Sequence, residues 1–150
     1  MKNRQATLKV LLDTSFILPS LGIDTGEAVL KSLRKLDEVK AEIYYSSFSL
    51  LESLWVAARL ANTTFDRERF SLGLRSIIER EKYVKVEEDS KTLNDALTLY
   101  MQGHKDMVDN ILYASSTNLN LKLLTLDNEL KEFINKRKLT NPLISPSQIT

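Results

Sequence analysis

The segment KVLLDTSFIL, residues 9–18, decides the fold of this chain. Residues 10–12 form a continuous apolar run, which is typical of a strand buried on both faces of a parallel sheet. Asp13 ends that run, and Thr14 and Ser15 follow it. An unpaired carboxylate at the end of a buried element costs free energy. Asp13 therefore requires a partner, a capping position or a chemical role.

The composition limits both the fold and the chemistry of the chain. With 150 residues, of which 43% are hydrophobic, we predict a single domain, residues 1–150, with a continuous core. Cysteine is absent, and His104, which we expect in a solvated loop, is the one histidine. These counts exclude disulfides and Cys-ligated zinc, so any metal site must consist mainly of oxygen ligands, which suit Mg²⁺ or Mn²⁺.

Charge and hydropathy bear on partners and location. The net charge of +1 gives no global attraction to nucleic acid, so a nucleic-acid partner must be held locally. The N-terminal apolar run is broken by Asp13 and has no small-residue cleavage site, and no segment is long enough to span a membrane. We therefore expect a cytoplasmic protein without membrane contact.

Strand-like and helix-like segments alternate along the chain. Predicted strands cover residues 8–13, 41–45, 83–88 and 121–126, with an edge strand within 141–148. Predicted helices cover residues 25–40, 46–61, 65–82, 89–102, 105–119 and 127–138. Thr25 is the expected N-cap of the first helix and Gly103 the expected C-cap of the fourth. The alternation predicts the α/β class, as a three-layer α/β/α sandwich with a mostly parallel central sheet.

Two predicted strands end in aspartate. Asp13 and Asp127 come directly after the strands, and hydroxyl or amide residues stand beside them: Thr14, Ser15, Thr125 and Asn128. Ligands of open α/β sheets bind at the carboxyl ends of the strands. The polar neighbours are suited to orient a carboxylate or a metal-bound water.

Further acids occur near the starts of two predicted helices. Glu52 is the lone acid in an apolar helix that directly follows a strand. Asp106 and Asp109 are three residues apart, so they share one face of the first turns of their helix. A cluster of four or five carboxylates at one edge of the sheet is thus possible.

Each acid also has a purely structural interpretation. Both strand-end aspartates and Asp106 fit N-caps, a role worth about 1 kcal/mol. Glu52 completes a capping box with Ser49 unless the helix begins earlier, and Asp109 suits the positive end of a helix dipole. Packed together, however, these acids would repel one another and destabilise the fold at neutral pH unless a divalent cation neutralised them. The combination therefore favours a metal site.

Three segments carry a family resemblance: KVLLDTSFIL, SSFSLLESLWVAARL and HKDMVDNILYASSTNLNLKLLTLDNEL. Their order and separation resemble PIN domains, particularly the VapC-like toxin ribonucleases, from about Lys9 to Phe133. By motif position, the matching acids are Asp13 with Ser15 two places later, Glu52, Asp109 at the start of DNILYA, and Asp127. Asp106 matches an additional acid of some members.

The resemblance implies a divalent-metal-dependent ribonuclease that hydrolyses RNA phosphodiester bonds at these carboxylates. Asp13 and Asp109 would be the principal Mg²⁺ or Mn²⁺ ligands, and Asp127 a ligand directly or through water. Glu52 would bind metal or orient the attacking water. Asp106 is a further candidate ligand, and Thr14, Ser15, Thr125 and Asn128 would support the carboxylates.

The resemblance also implies partners, namely single-stranded or structured RNA, an antitoxin protein and a second copy in a homodimer. Apolar positions on the helices bearing Trp55, Phe65 and Phe70 would supply the protein surfaces, although we predict Trp55 itself in the core. Basic residues available to RNA are the NKRK run at 135–138 and the arginines at 59, 67, 69 and 75, most of which we expect to be simply solvated.

Other functions fit the sequence less well. A haloacid dehalogenase-type phosphatase would carry a second Asp where Ser15 stands, and no glycine-rich turn of the dinucleotide-binding kind occurs. The alternative that remains open is a catalytically silent PIN-like module that binds RNA or protein.

Overall fold

A parallel sheet forms the centre of the computed structural model, which describes residues 6–149. Its five strands follow the order β3-β2-β1-β4-β5, and all neighbouring pairs are parallel. The strands are β1 (Lys9–Leu12), β2 (Glu42–Tyr45), β3 (Val84–Lys85), β4 (Lys122–Leu124) and β5 (Leu143–Ile144).

Helices connect the strands. They are α1 (Thr14–Ile17), α2 (Glu27–Glu38), α3 (Ser47–Leu60), α4 (Arg67–Ile78), α5 (Ser90–Met101), α6 (Met107–Leu119) and α7 (Asn128–Lys136), with 3₁₀ turns at Leu18–Leu21 and Pro146–Gln148. No helix within residues 6–149 has the length and apolarity needed to cross a bilayer.

The helices cover both faces of the sheet. Val10 and Leu12 join an apolar cluster with side chains from α1, α2, α3 and α4 on one face. Leu11 and Leu123 join a second cluster with side chains from α5, α6 and α7 on the other face. Because β1 lies in the middle of the sheet and is covered twice, its run of apolar residues does not alternate. The predicted three-layer α/β/α sandwich is confirmed.

The connection after β1 consists of a short helix and a 3₁₀ turn rather than an irregular loop. Helix α1 and the first 3₁₀ turn follow Asp13, and both were too short to show a periodic pattern in the sequence. The turn packs closely against α4, because a Cβ added at Gly73 would lie 2.3 Å from the carbonyl oxygen of Ser20. Gly73 thus lets α4 approach the backbone that carries the chain away from β1.

Several predicted boundaries are wrong at the edges of the sheet. Only Val84–Lys85 of the predicted strand 83–88 pairs with β2. The last segment pairs at Leu143–Ile144 and then turns at Pro146, which lacks an amide hydrogen for the ladder. Thr25 does not cap α2, whose N-cap is Gly26, because the Thr25 hydroxyl donates instead to the carbonyl of Ser15 at 2.7 Å.

Candidate acidic site

Asp13 occupies the carboxyl end of the central strand. Its backbone N–H donates to the carbonyl of Leu124 at 3.1 Å, which ties it to the end of β4. Its side chain makes no capping hydrogen bond to α1, so the simple cap interpretation is wrong for this residue. The carboxylate instead accepts a hydrogen bond of 2.7 Å from the Thr125 hydroxyl.

Asp127 lies beside it at the start of α7. Its carboxylate accepts from the backbone N–H groups of Glu129 at 2.9 Å and Leu130 at 3.3 Å, so the cap interpretation is correct here. The Asp127 N–H donates to the Thr125 hydroxyl oxygen at 3.0 Å. Thr125 therefore connects the two strand-end aspartates and holds both in place.

Helix α6 brings two more acids to this edge of the sheet. Asp106 caps the helix by accepting from the N–H of Asp109 at 3.1 Å. Asp109 itself is buried, with 7% of its surface exposed, and its side chain is hydrogen-bonded to that of Asp127. Residues far apart in the chain thus meet because α6 and α7 lie on the same face of the sheet.

Glu52 approaches from α3, on the other face. The helix is capped by Ser46, whose hydroxyl oxygen accepts from the N–H of Phe48 at 3.1 Å, so the Ser49 capping box is wrong. Glu52 falls in the second turn, is half-buried, and lies close enough for its charge to raise the pKa of Asp13.

Burial and mutual repulsion shift the acids away from their ordinary pKa values. Desolvation raises the pKa of Asp13 to about 6, against the effect of the Thr125 hydrogen bond, and the charges of Glu52 and Asp127 add to the rise. Desolvation also raises the pKa of Asp109 to about 10, helped by its hydrogen bond to Asp127 and by the Asp13 charge.

The side chains of Asp109 and Asp127 affect each other's proton affinity. Their hydrogen bond helps to raise the pKa of Asp109 and lowers the pKa of Asp127. The cluster needs a positive charge in its centre, because its carboxylates are close together and partly withdrawn from water. A bound proton supplies that charge in part, and a divalent cation would supply more.

His104 also belongs to this site, contrary to the expectation of a solvated loop. Its side chain is buried with 7% exposed and its ring packs 5.3 Å from that of Phe133. A ring nitrogen of His104 and carboxylate oxygens of Asp109 and Asp127 all lie within 4.8 Å of one another. These three donors are of the types that bind divalent metals, so the residues fit a metal site.

A helix-ending turn places His104. Gly103 adopts a φ of +116° after the C-cap Gln102, rather than being the cap itself. The N–H of Gly103 donates to Tyr100 at 3.1 Å and that of His104 to Leu99 at 3.1 Å, as in a Schellman motif. In the sequence, Gly103 indicated that the helix ends here. It gave no information about the position of the His104 imidazole.

The other predicted supporting residues lie around the acids. The Thr14 hydroxyl is buried and has no hydrogen-bond partner among residues 6–149. Over the same residues, the side chains of Ser15 and Asn128 make no hydrogen bond to a carboxylate, and Asn128 is exposed. Thr125 is the supporting residue with direct contacts to the acids.

Trp55 lies outside the core, contrary to the prediction. It is 62% exposed, because α3 packs against the core through the small residues Ser49, Ser53 and Ala57, on the opposite side of the helix. Its neighbour in sequence, Leu54, lines an apolar cavity of about 260 Å³ between α3 and α4, and Phe65 is another lining residue.

Comparisons with known proteins agree with this architecture. The chain matches the family described as PIN domain over residues 10–136. No curated protein matches it.

Several solved structures share the fold, including three from different organisms. A toxin-antitoxin complex from Klebsiella pneumoniae aligns with 14% identity and a TM-score of 0.58, covering 91% of this chain and 97% of that one. PAE2754 from Pyrobaculum aerophilum aligns with 16% identity and a TM-score of 0.59, covering 93% and 90%. FitAcB from Neisseria gonorrhoeae aligns with 16% identity and a TM-score of 0.55, covering 93% and 99%.

Proposed function

This chain belongs to the PIN domain family, and we propose that it is a divalent-metal-dependent ribonuclease. The observation that carries the proposal is the convergence of buried and half-buried, mutually repelling carboxylates at the carboxyl edge of the sheet. A binding module without chemistry would gain nothing from these acids, because their burial costs folding free energy at neutral pH.

We assign the metal ligands to three aspartates of the acidic site. Asp13 and Asp109 are the proposed principal ligands of Mg²⁺ or Mn²⁺, and Asp127 is the third, bound directly or through water. Thr125 fixes the carboxylate of Asp13 by its hydrogen bond of 2.7 Å. The site is thereby organised before any substrate arrives, which lowers the cost of binding.

The remaining acids have supporting roles in this proposal. Glu52 faces Asp13 from the opposite layer, so it is suited to orient the attacking water or to complete the ligand set. Asp106 holds the first turn of α6 through its bond to the N–H of Asp109 and thereby positions Asp109. Thr14, Ser15 and Asn128 border the cluster as candidates for contacts through water.

The cation supplies the chemistry that carboxylates alone lack. When bound, it neutralises the acids, lowers the pKa of a coordinated water and stabilises charge on the phosphate. Without it the acids would repel a phosphodiester.

A cavity beside the acids offers space for the substrate. It measures about 270 Å³, and Asp127, Asn128, Lys131, Asn141 and Gln148 are among the residues that line it. The Lys131 ammonium is suited to hold a phosphate, while the amides are suited to contact a sugar or base by hydrogen bonds. RNA is proposed as the substrate from the family resemblance.

A protein partner is also part of the proposal. The relative from Klebsiella pneumoniae is a toxin-antitoxin complex. In this chain α3 carries the exposed Trp55 and also contributes Leu54 to the lining of the apolar cavity between α3 and α4. We infer that an antitoxin or a second copy of the chain covers this face. Because Trp55 is the single tryptophan, a blue shift of its fluorescence with rising protein concentration would report self-association.

The deciding experiment is cleavage of a mixed pool of RNA and single-stranded DNA. Wild-type protein is assayed with Mn²⁺, with Mg²⁺ and with chelator, beside Asp109→Asn. We expect cleavage of RNA that requires the metal and falls to background in the variant. Metal should also raise the melting temperature of the wild type.

Asp66→Asn is the matched control. Asp66 caps α4 by accepting from the N–H of Arg69 at 3.0 Å, and asparagine caps equally well. Cleavage should be unchanged in this variant. Full activity in Asp109→Asn would contradict the assignment of Asp109 as a principal metal ligand. Tight RNA binding without cleavage by the wild type would contradict the enzyme and favour the silent binding module.

A further inference from the structure

Among residues 6–149, His104 is the one histidine that joins carboxylates in a group able to hold a metal ion. It is the first residue of a segment that carries the family resemblance, but the resemblance gives it no role, and the proposed roles of the acids do not require it. It is nevertheless buried among them, at the start of the loop that leads into α6. Its contacts therefore deserve a chemical explanation.

The proton position on the His104 ring follows from its partner. The Asn110 amide nitrogen donates to the backbone carbonyl of His104 at 2.8 Å, which fixes the orientation of that amide. The Asn110 carbonyl oxygen then faces Nδ1 of His104 at 2.6 Å, and a carbonyl oxygen can only accept. Nδ1 therefore carries hydrogen, and the neutral ring keeps its lone pair on Nε2.

This arrangement is the one that metal-binding histidines use. A ligating histidine donates its other ring N–H to a carbonyl or carboxylate, and this contact fixes both the tautomer and the direction of the ring. Asn110 is completely buried, and its side chain makes no other hydrogen bond among the described residues. It acts as the positioning residue for the imidazole.

The spacing to the acids also suits a shared ion. A ring nitrogen of His104 lies within 4.8 Å of oxygens of Asp109 and Asp127. Metal–ligand bonds of about 2.0–2.3 Å separate ligands on opposite sides of an ion by about 4–4.6 Å. Small side-chain movements would bring all three donors onto one cation.

We propose that His104 Nε2 is a metal ligand in this chain, together with Asp109 and Asp127. This inference rests on the proposed function, because it assumes the same metal site. An imidazole ligand disfavours Mg²⁺, which prefers a shell of oxygen and water, and favours transition ions. The site is therefore selective for Mn²⁺ or a later transition ion over Mg²⁺.

The test uses the fact that the chain has a single histidine. Full-length protein is prepared twice, with ordinary and with ¹⁵N-labelled histidine, and loaded with one equivalent of Mn²⁺. Pulsed EPR detects the magnetic coupling of Mn²⁺ to a directly bound nitrogen. The coupling should change from ¹⁴N to ¹⁵N character with the label, and no substitution is needed to observe it.

A second measurement compares affinities. We expect His104→Gln to weaken Mn²⁺ binding at least about tenfold and to change Mg²⁺ binding by less than about twofold, because an amide oxygen replaces the nitrogen. Phe133→Leu is the control, since it removes the aromatic contact with the imidazole and leaves the nitrogens in place. It should preserve the preference for Mn²⁺.

The possible outcomes separate this inference from the proposed function. If Mn²⁺ binds and supports cleavage but shows no coupling to the labelled histidine, the ligand role of His104 is overturned and the nuclease proposal stands. His104 would then be a packing residue that holds the loop against Phe133. If Mn²⁺ does not bind the wild type at all, both proposals fail.

Discussion

Aspartates lie at the starts of helices in two regions of this molecule, and the pKa of Asp89 in one region shifts in the opposite direction to those of Asp13 and Asp109 in the other. At the starts of α4 and α5, Asp66 and Asp89 are exposed and accept hydrogen bonds from backbone N–H groups. The N–H of Thr92 holds the pKa of Asp89 below its usual range. At the carboxyl edge of the sheet, burial raises the pKa of Asp13 and of Asp109 instead.

The difference shows that residue type and chain position do not fix the role of an acid. A carboxylate at an exposed helix start is stabilised by the helix and by water. The same group destabilises the folded state when it is desolvated beside other carboxylates. The acidic cluster therefore lowers the stability of the fold in the absence of a cation. We propose that its function is to bind a metal ion.

The largest expected effect comes from Asp109→Asn. Loss of metal-based stabilisation of several kcal/mol corresponds to about a 10³-fold lower cleavage rate. In chelator at pH 8, the variant should melt at a higher temperature than the wild type, because its amide needs no proton or cation. Calorimetry and the cleavage assay on the same samples measure both effects. A variant that is both active and less stable than the wild type would show that Asp109 acts as a structural residue, like the aspartates at the exposed helix starts.

The pH dependence of metal-free stability tests Asp13. Its pKa is 3.8 when unfolded and about 6 when folded, so the folded state binds the proton more tightly. The stabilising contribution is complete below pH 3.8 and is lost as the pH rises to about 6. The shift corresponds to about 3 kcal/mol. Denaturant unfolding at pH 4 and pH 7 measures this contribution. The free energy of unfolding of the wild type should fall between the two pH values by more than that of Asp13→Asn, and an equal change in both proteins would contradict the prediction.

Thr125→Val tests the hydroxyl that connects Asp13 and Asp127. Loss of a hydrogen bond to a charged group should destabilise the protein by about 2 kcal/mol at pH 7. The loss should be smaller at pH 4, where Asp13 is protonated. Thr125→Ser keeps the hydroxyl and is the control for the bond to the Asp13 carboxylate. Equal losses at both pH values would show that Thr125 matters only for packing.

The smallest effect is expected at the exposed caps. Asp66→Ala should destabilise the protein by about 1 kcal/mol, because the N–H of Arg69 loses its acceptor. Cleavage and metal binding should remain at wild-type level. Thermal melting and the cleavage assay check this, and a change in metal affinity would show that the two regions are coupled.

The core strands were predictable because their signal is local. The apolar runs at 10–12 and 123–124 have no polar alternation, and this pattern is typical of a short strand covered on both faces. The edge strands were less predictable, since Val84–Lys85 and Leu143–Ile144 are defined by pairing with a neighbour rather than by their own composition.

Within the acidic site, the sequence indicated which residue types stand at the strand ends, while their contacts required the fold. It could not distinguish Asp13, which makes no capping bond, from Asp127, which does cap a helix. Burial of Asp109 and His104 depends on how α6 and α7 pack on the sheet. Trp55 was placed wrongly for the same reason, because the small residues of α3 face the core.

The sequence by itself determined the α/β order, the parallel sheet and the acids that end its strands, because these depend on local hydrophobic patterns and motif spacing. The tertiary structure alone decided which side chains meet, which lose contact with water and which have shifted pKa values. These properties depend on distances between residues such as Asp13 and Thr125, which are far apart in the chain and adjacent in the fold. Charge interaction and desolvation follow distance in space rather than distance in sequence.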